Sequence, residues 1–285
     1  MTESSRGPGA ALQTAIALAR RALELEPSGV LTDFDGTLSP IVGDPELARL
    51  VDGADGALAA LASRLAVVAV ITGRAARVAR RLTGVPGLLV VGNHGVEWLE
   101  PNSDEPRAAL EGEAIGRRLE SVLEAVPTPP GVFLERKGLS ATIHYRNASD
   151  PTAARDAILR ALGDASAHDV EVREGRMSVE LRPTGLGDKG RAARAIVERH
   201  ALRGVVVMGD DLTDLDMFRA VAGLRAAGRL RAAIIAVGGA NGEVPEEVRE
   251  AADVTVRDPA EVALLLSALS EPARPDPRTD AGATR

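Results

Sequence analysis

The sequence contains no cysteine. That excludes disulfides, thiolate catalysis and cysteine-ligated zinc, and it fits a reducing compartment. Aromatic residues make up only 2% of the chain, so a core must be assembled from Leu, Val, Ile and Ala. Stacking platforms for nucleobases or flavins are correspondingly hard to find. No apolar run approaches the length that spans a bilayer, and residues 1–10 are polar, without the apolar centre of a signal peptide. The expectation is a soluble cytoplasmic protein. Positive charge is not in excess either. The 34 Lys and Arg stand against 41 Asp and Glu, a net charge of -7, where a nucleic-acid binder is ordinarily basic. An anionic small substrate stays compatible, because a bound metal inverts the local sign.

What is present is a chain of 285 residues, 45% of them hydrophobic, enough for one large or two smaller domains with a core. Residues 1–10 and 271–285, the latter rich in Pro, Asp and Arg, are expected to be disordered. A helix is expected over 11–26, ended by Pro27-Ser28-Gly29. Short apolar runs at 30–34, 67–71, 88–91, 205–208, 234–237 and 254–256 read as strands. Helical segments at 45–64, 74–82, 189–201 and 212–221 fall between most of them. Strands apolar throughout and separated by helices indicate an α/β fold with a buried parallel sheet.

The middle of the chain follows another rule. A helix over 108–125 precedes a hairpin over 131–146 that turns near Gly138, and a helix from Pro151 to Leu162 precedes a hairpin over 170–182 that turns at Glu174-Gly175-Arg176. The pattern is an α+β insertion, expected over 104–185, in a core made of 11–103 and 186–270.

Polar residues follow several strand runs: Asp33, Thr72, Asn93 and Asp210. Ligands of open α/β sheets sit beyond the carboxyl ends of the strands, so these stretches can converge on one crevice. Asp33-Phe34-Asp35-Gly36-Thr37-Leu38 offers two carboxylates one residue apart. Asp33 suits a nucleophile toward a phosphoryl group, provided a divalent cation offsets the repulsion between two anions. Asp35 suits a general acid and base. Gly36 lets the backbone turn closely around a phosphate, and Thr37 adds a hydroxyl donor. A solvated acidic turn explains the hexapeptide equally well by itself. Gly209-Asp210-Asp211-Leu212-Thr213-Asp214 adds three carboxylates past another strand. Asp210 suits a direct magnesium ligand, with Asp211 and Asp214 behind it, although Asp211 or Thr213 also suits a helix cap. Thr72 in Thr72-Gly73-Arg74 is placed for a phosphate oxygen or for a cap. Lys189 opens a helix, where its charge opposes the dipole. It can neutralise Asp33 and a phosphate, or lie in solvent.

With these four stretches in order, the chain resembles phosphatases of the haloacid dehalogenase superfamily. The resemblance implies a Rossmann-like core, a type-2 cap made by the insertion, an aspartyl-phosphate mechanism and a Mg2+ cofactor. It implies Asp33 as nucleophile and Asp35 as general acid/base. Asp33, the backbone carbonyl of Asp35 and Asp210 become the metal ligands. Thr72 and Lys189 hold the phosphate, and Arg74 adds positive potential beside it.

The cap strands alternate. Glu135 and Lys137 share one face, as do Thr142, His144 and Arg146, and as do Ser178, Glu180 and Arg182. Two residues break the pattern: Arg136 falls on the apolar side and Phe133 on the polar side. The segments Gly92-Asn93-His94-Gly95, Glu135-Arg136-Lys137-Gly138, His144-Tyr145-Arg146 and Glu180-Leu181-Arg182-Pro183 closely resemble trehalose-6-phosphate phosphatases. That resemblance implies that Glu135, Lys137 and Glu180 contact the sugar remote from the phosphate. Asn93, His94, Arg176 and His144 then line the same cleft. Tyr145 and Trp98 suit either packing or sugar contact. The function implied is hydrolysis of trehalose 6-phosphate, a phosphorylated disaccharide. Alternatives are another sugar phosphate, such as sucrose phosphate or a glycosyl phosphoglycerate, or a silent sensor of sugar phosphates.

Overall fold

A computed structural model describes residues 9–108, 112–136, 140–163, 170–175, 177–183, 188–238 and 244–271. Of the segments expected to be disordered, 1–10 and 271–285, residues 1–8 and 272–285 lie outside the described residues, as do the hairpin turns at Gly138 and Arg176, while Ala10 opens the first helix. The first part of the chain forms α1 (Ala10–Leu23), β1 (Ser28–Thr32), α2 (Ala54–Arg64), β2 (Val67–Ile71), α3 (Ala76–Thr83), β3 (Leu89–Gly92), β4 (Glu97–Leu99) and β5 (Arg107–Ala108). The middle forms α4 (Gly112–Glu124), β6 (Phe133–Arg136), β7 (Ala141–His144), α5 (Pro151–Leu162), β8 (Val170–Gly175) and β9 (Ser178–Pro183). The last part forms α6 (Lys189–Arg199), β10 (Gly204–Gly209), α7 (Asp214–Ala226), β11 (Arg231–Val237), α8 (Glu246–Ala251), β12 (Val254–Val256) and α9 (Pro259–Ser270).

The larger sheet has the order β12-β11-β10-β1-β2-β3-β4-β5. Its first six strands are mutually parallel, and β4 and β5 are appended antiparallel. Every residue of β1, β2, β3 and β10 is buried, as parallel strands covered on both faces must be. Alternate strand residues feed two apolar layers. Val30, Val68, Val70 and Val206 pack toward α1, α2, α3 and α9. Leu31, Ala69, Ile71 and Val207 pack toward α6, α7 and α8. Each fully buried Val, Leu or Ile contributes roughly 1.5–3 kcal/mol relative to exposure.

Two local expectations are corrected. The helix expected over 45–64 is a short 3-10 turn at Pro45–Leu47 followed, after an irregular stretch, by α2. Gly53, at φ 83, breaks the helical run. The first strand ends at Thr32, so Asp33 and Phe34 already belong to the loop beyond it. The antiparallel strands β4 and β5 carry the core sheet past residue 104, to Ala108.

The inserted residues build a second, antiparallel sheet of order β6-β7-β9-β8. One face, with Ala141, Ile143, Val179 and Leu181, packs on Leu119 and Leu123 of α4 and Ile158 of α5. Arg136, out of place in the alternation, reaches Glu120 of α4 at 3.2 Å from the sheet edge. Asp150 caps α5 by accepting from the Ala153 amide at 2.9 Å.

Candidate active site

β1 lies between β10 and β2, with Thr32 in register with Met208 on one side and Val70 on the other. The chain leaves β1 toward β2 and β3 and later returns on the opposite side through β10. The boundary between β1 and β10 is therefore the switch point where open sheets present their crevice. Asp33 continues the ladder by donating its amide to the Met208 carbonyl at 3.0 Å.

The Asp33 carboxylate is 4% exposed. The Lys189 ammonium, itself buried, donates to Asp33 Oδ1 at 2.8 Å and to Asp214 Oδ1 at 2.7 Å. Asp188 places this lysine by capping α6 through the Arg191 amide. Asp214 is held at both oxygens, because its Oδ2 accepts the amides of Asp210 and Asp211 at 2.9 and 3.2 Å. Gly209 has no room for a side chain: a Cβ there would stand 2.4 Å from the Asp214 carboxyl carbon. Asp211 accepts from the amides of Thr213 and Asp214 and from the Thr213 hydroxyl, which fastens the turn into α7. Thr37 donates its hydroxyl to Asp210 Oδ1 at 2.9 Å, so it orients that carboxylate. Gly36, at φ 80, comes so close that a Cβ would fall 2.0 Å from Asp210 Oδ2. The hexapeptide and the Asp210 loop thus fit only with glycine at this position.

Asp35 is half-exposed and meets Arg74 in a two-pronged ion pair, Nε to Oδ2 at 2.6 Å and a terminal nitrogen to Oδ1 at 2.7 Å. The guanidinium also lies 5.5 Å from the Phe34 ring centroid and donates to the Pro45 carbonyl. Spacing along the chain did not reveal this partnership, since 39 residues separate the two. Thr72 is buried, and its hydroxyl accepts the Arg74 amide at 3.2 Å. Asn93 and His94 both adopt left-handed backbone, at φ 47 and 56. The His94 imidazole lies over Gly73, where a Cβ would approach it to 2.7 Å. Ser140, just before β7, donates to Asn93 Oδ1 at 3.1 Å. That bond links the insertion to the core, and Ser140 was not among the expected site residues.

Charge in this crevice is out of balance. Burial pushes the Asp33 carboxyl well above the usual carboxylate range; Lys189 opposes this, while Asp214 and Asp210 add to it. Asp210 is raised to about 7, first by burial and then by Asp214. Burial also raises Asp214 against the pull of Lys189. Burial works against the Lys189 ammonium, but Asp33 and Asp214 hold it well above its ordinary value. Asp211 ends below the usual range: its burial is outweighed by Lys189 and by the Thr213 hydrogen bonds. Asp33, Asp210 and Asp214 present oxygens within 4.8 Å of one another. An all-oxygen set with surplus buried negative charge is chemically matched to a hard divalent cation.

On the insertion, Glu135, Thr142, Glu180 and Arg173 face one another in consecutive strands. His144 Nε2 lies 2.9 Å from Glu135 Oε2. Ser140, on the same face of its strand as Thr142 and His144, bonds Asn93, so this polar row is turned toward the core. Lys137 and Arg176 lie outside the described residues. Tyr145 packs in the core of the insertion. Trp98 packs on the main core and donates its indole N–H to the Gly95 carbonyl at 3.1 Å. Among the described residues, no helix is long and apolar enough to cross a membrane.

A doubly wound sheet with paired aspartates at its switch point, a buried lysine and an inserted α+β cap is the fold of haloacid-dehalogenase-type phosphatases. The trehalose-phosphatase family model matches residues 31–247, and the chain belongs to that family. A trehalose-phosphate phosphatase of Mycobacterium avium is 40% identical over 207 residues, 68% of this chain and 51% of the relative. One from Mycobacterium bovis is 34% identical over 223 residues, 73% of this chain and 54% of the relative. The chain therefore spans about half the length of the curated relatives it matches. Among solved structures, the C-terminal domain of Candida albicans trehalose-6-phosphate phosphatase superposes with a TM-score of 0.67 at 25% identity, over 90% of this chain and 96% of that one. The Aspergillus fumigatus trehalose-6-phosphate phosphatase gives a TM-score of 0.62 at 28% identity, over 90% and 97%.

Proposed function

We propose that the protein is a magnesium-dependent phosphatase that hydrolyses trehalose 6-phosphate to trehalose and phosphate. The observation that carries this reading is the buried Asp33 carboxylate, held by Lys189 beside Asp210 at the sheet's switch point, in a chain of the trehalose-phosphatase family. In the first step Asp33 attacks phosphorus, the bond from phosphorus to the sugar C6 oxygen breaks, and Asp35 delivers a proton to that oxygen. In the second, Asp35 takes a proton from a water that attacks the aspartyl phosphate, and the bond to Asp33 breaks to release phosphate. Arg74 holds both Asp35 oxygens in this structure, so Asp35 leaves that ion pair on at least one oxygen to carry the proton. Lys189 and Thr72 hold the phosphoryl oxygens, and Asp214 fixes Lys189. Asp33, the Asp35 carbonyl and Asp210 would hold Mg2+, which supplies the positive charge that lets two anions meet. Asp211 shapes the loop that carries Asp210. The cap chooses the sugar through Glu135, Lys137, Glu180 and His144, with Asn93, His94 and Arg176 at the cleft, and its closure excludes water.

Two measurements test the reading. Treatment with EDTA should remove phosphate release from trehalose 6-phosphate, and added Mg2+ should restore it. Full activity in protein shown metal-free by elemental analysis refutes the metal assignment. In a panel of sugar phosphates, kcat/KM for trehalose 6-phosphate should exceed that for glucose 6-phosphate by roughly 100-fold, because polar groups built for the second sugar go unpaired without it, and should exceed that for sucrose 6-phosphate, whose second ring is a different sugar in a different linkage. Equal turnover across the panel refutes the substrate assignment.

A further inference from the structure

We infer that Phe133 is the apolar wall of the cap's sugar subsite and takes the C–H face of the glucose ring remote from the phosphate. The inference rests on the sugar-phosphatase reading above and adds a residue that the polar pattern leaves unexplained.

The chain has three Phe, one Tyr and one Trp. Phe34 and Phe218 are fully buried, Tyr145 is buried, and Trp98 is packed on the core. Phe133 alone among them stands free, 63% exposed. Its place is fixed by register. It pairs with His144, and Glu135 pairs with Thr142, so its ring stands on the polar face of the cap sheet. The opposite face is filled by α4 and α5, so Phe133 does not serve the cap's own core. Its ring stacks on the His144 imidazole, with centroids 6.1 Å apart and planes 27° from parallel. His144 is in turn tied to Glu135 at 2.9 Å. Aromatic wall, imidazole and carboxylate therefore form one ordered unit. Beside it, the Thr142 hydroxyl is buried with no hydrogen-bond partner, an unsatisfied group that a ligand hydroxyl reached by a small side-chain movement would complete. The face is directed at the catalytic crevice, as the Ser140–Asn93 hydrogen bond shows.

A pyranose ring carries a rim of hydroxyls around a face of C–H bonds. Recognition of such a ring calls for an apolar plane flanked by hydrogen-bonding groups. Phe133 supplies the plane, and Glu135 and Thr142 supply the rim partners.

The test compares wild type, Phe133→Ala and Phe133→Trp on trehalose 6-phosphate and on p-nitrophenyl phosphate, which has no sugar to reach the cap. Phe133→Ala should raise KM for trehalose 6-phosphate about 10-fold, the loss of one stacked aromatic contact, and leave p-nitrophenyl phosphate turnover within about twofold. Phe133→Trp should keep KM near the wild-type value. Placed in an Asp33→Asn background, it should change its emission when trehalose 6-phosphate is added, relative to Asp33→Asn with Trp98 alone. An unchanged KM in Phe133→Ala overturns the proposal, as does a matching loss on both substrates. A shift in oligomeric state of Phe133→Ala at unchanged KM assigns the ring to self-association and also overturns it. Wild-type enzyme without preference for the disaccharide phosphate refutes the substrate reading itself, independently of Phe133, and the inference falls with it.

Discussion

Asp33→Asn is expected to lower phosphate release by roughly 10⁴-fold or more while the protein stays folded, as removal of a nucleophile does elsewhere. The amide has the size of the carboxylate but does not form an acyl phosphate under these conditions. The fold survives because Lys189 keeps its second partner, Asp214, at 2.7 Å. The native site already holds more buried carboxylates than buried ammonium groups. Burial raises Asp33 above its unfolded value, so its contribution to stability is fully present below the unfolded carboxylate pKa. That contribution is lost as pH rises through the folded value. Without metal at pH 8, the variant should therefore melt no lower than the parent. Phosphate assays and thermal melts in EDTA read both halves. Wild-type turnover in Asp33→Asn removes the covalent mechanism.

Lys189→Met should fail in both respects. The ammonium is 2% exposed and is bonded to Asp33 and Asp214. Replacing it with an apolar chain of similar length leaves two carboxylates facing each other in a buried site. Breaking a buried pair from one side costs about 3–5 kcal/mol, and kcat/KM should fall by roughly 10³-fold as charge support for the phosphoryl group disappears. Urea denaturation measures the first effect. The control is Lys189→Met/Asp214→Asn, which should recover part of the stability and none of the activity. If the double variant is no more stable than Lys189→Met, the lysine acts by packing rather than by charge.

Much of the architecture was legible because it depends on local rules. Apolar runs bounded by helices gave β1, β2, β3, β10, β11 and β12, since a strand buried on both faces has little polar alternative. The cap hairpins showed their period-2 alternation. Helix 45–64 was misread because its apolar and acidic residues suit a helix, whereas Gly53 and the turn at Pro45 interrupt the backbone. β4 and β5, at three and two residues, are too short to carry a periodic signal. Their sheet membership comes from pairing with β3.

Within the site, residue type and strand-end position identified Asp33, Thr72 and Asp210, because each lies where a run of apolar residues stops, while Lys189 stood out by opening a helix against its dipole. The sequence by itself determined that a buried parallel sheet would end in paired carboxylates, and that an alternating insertion would interrupt it. Only the tertiary structure decided how those groups are partnered. Thr37 points its hydroxyl at Asp210 from 173 residues away, and Arg74 grips Asp35. Ser140 ties the insertion to Asn93, and Phe133 stands exposed on the polar face of the cap sheet. Alternation fixes which face a side chain takes. What it meets there depends on strand register and on the packing of distant elements, and neither has a period in the sequence.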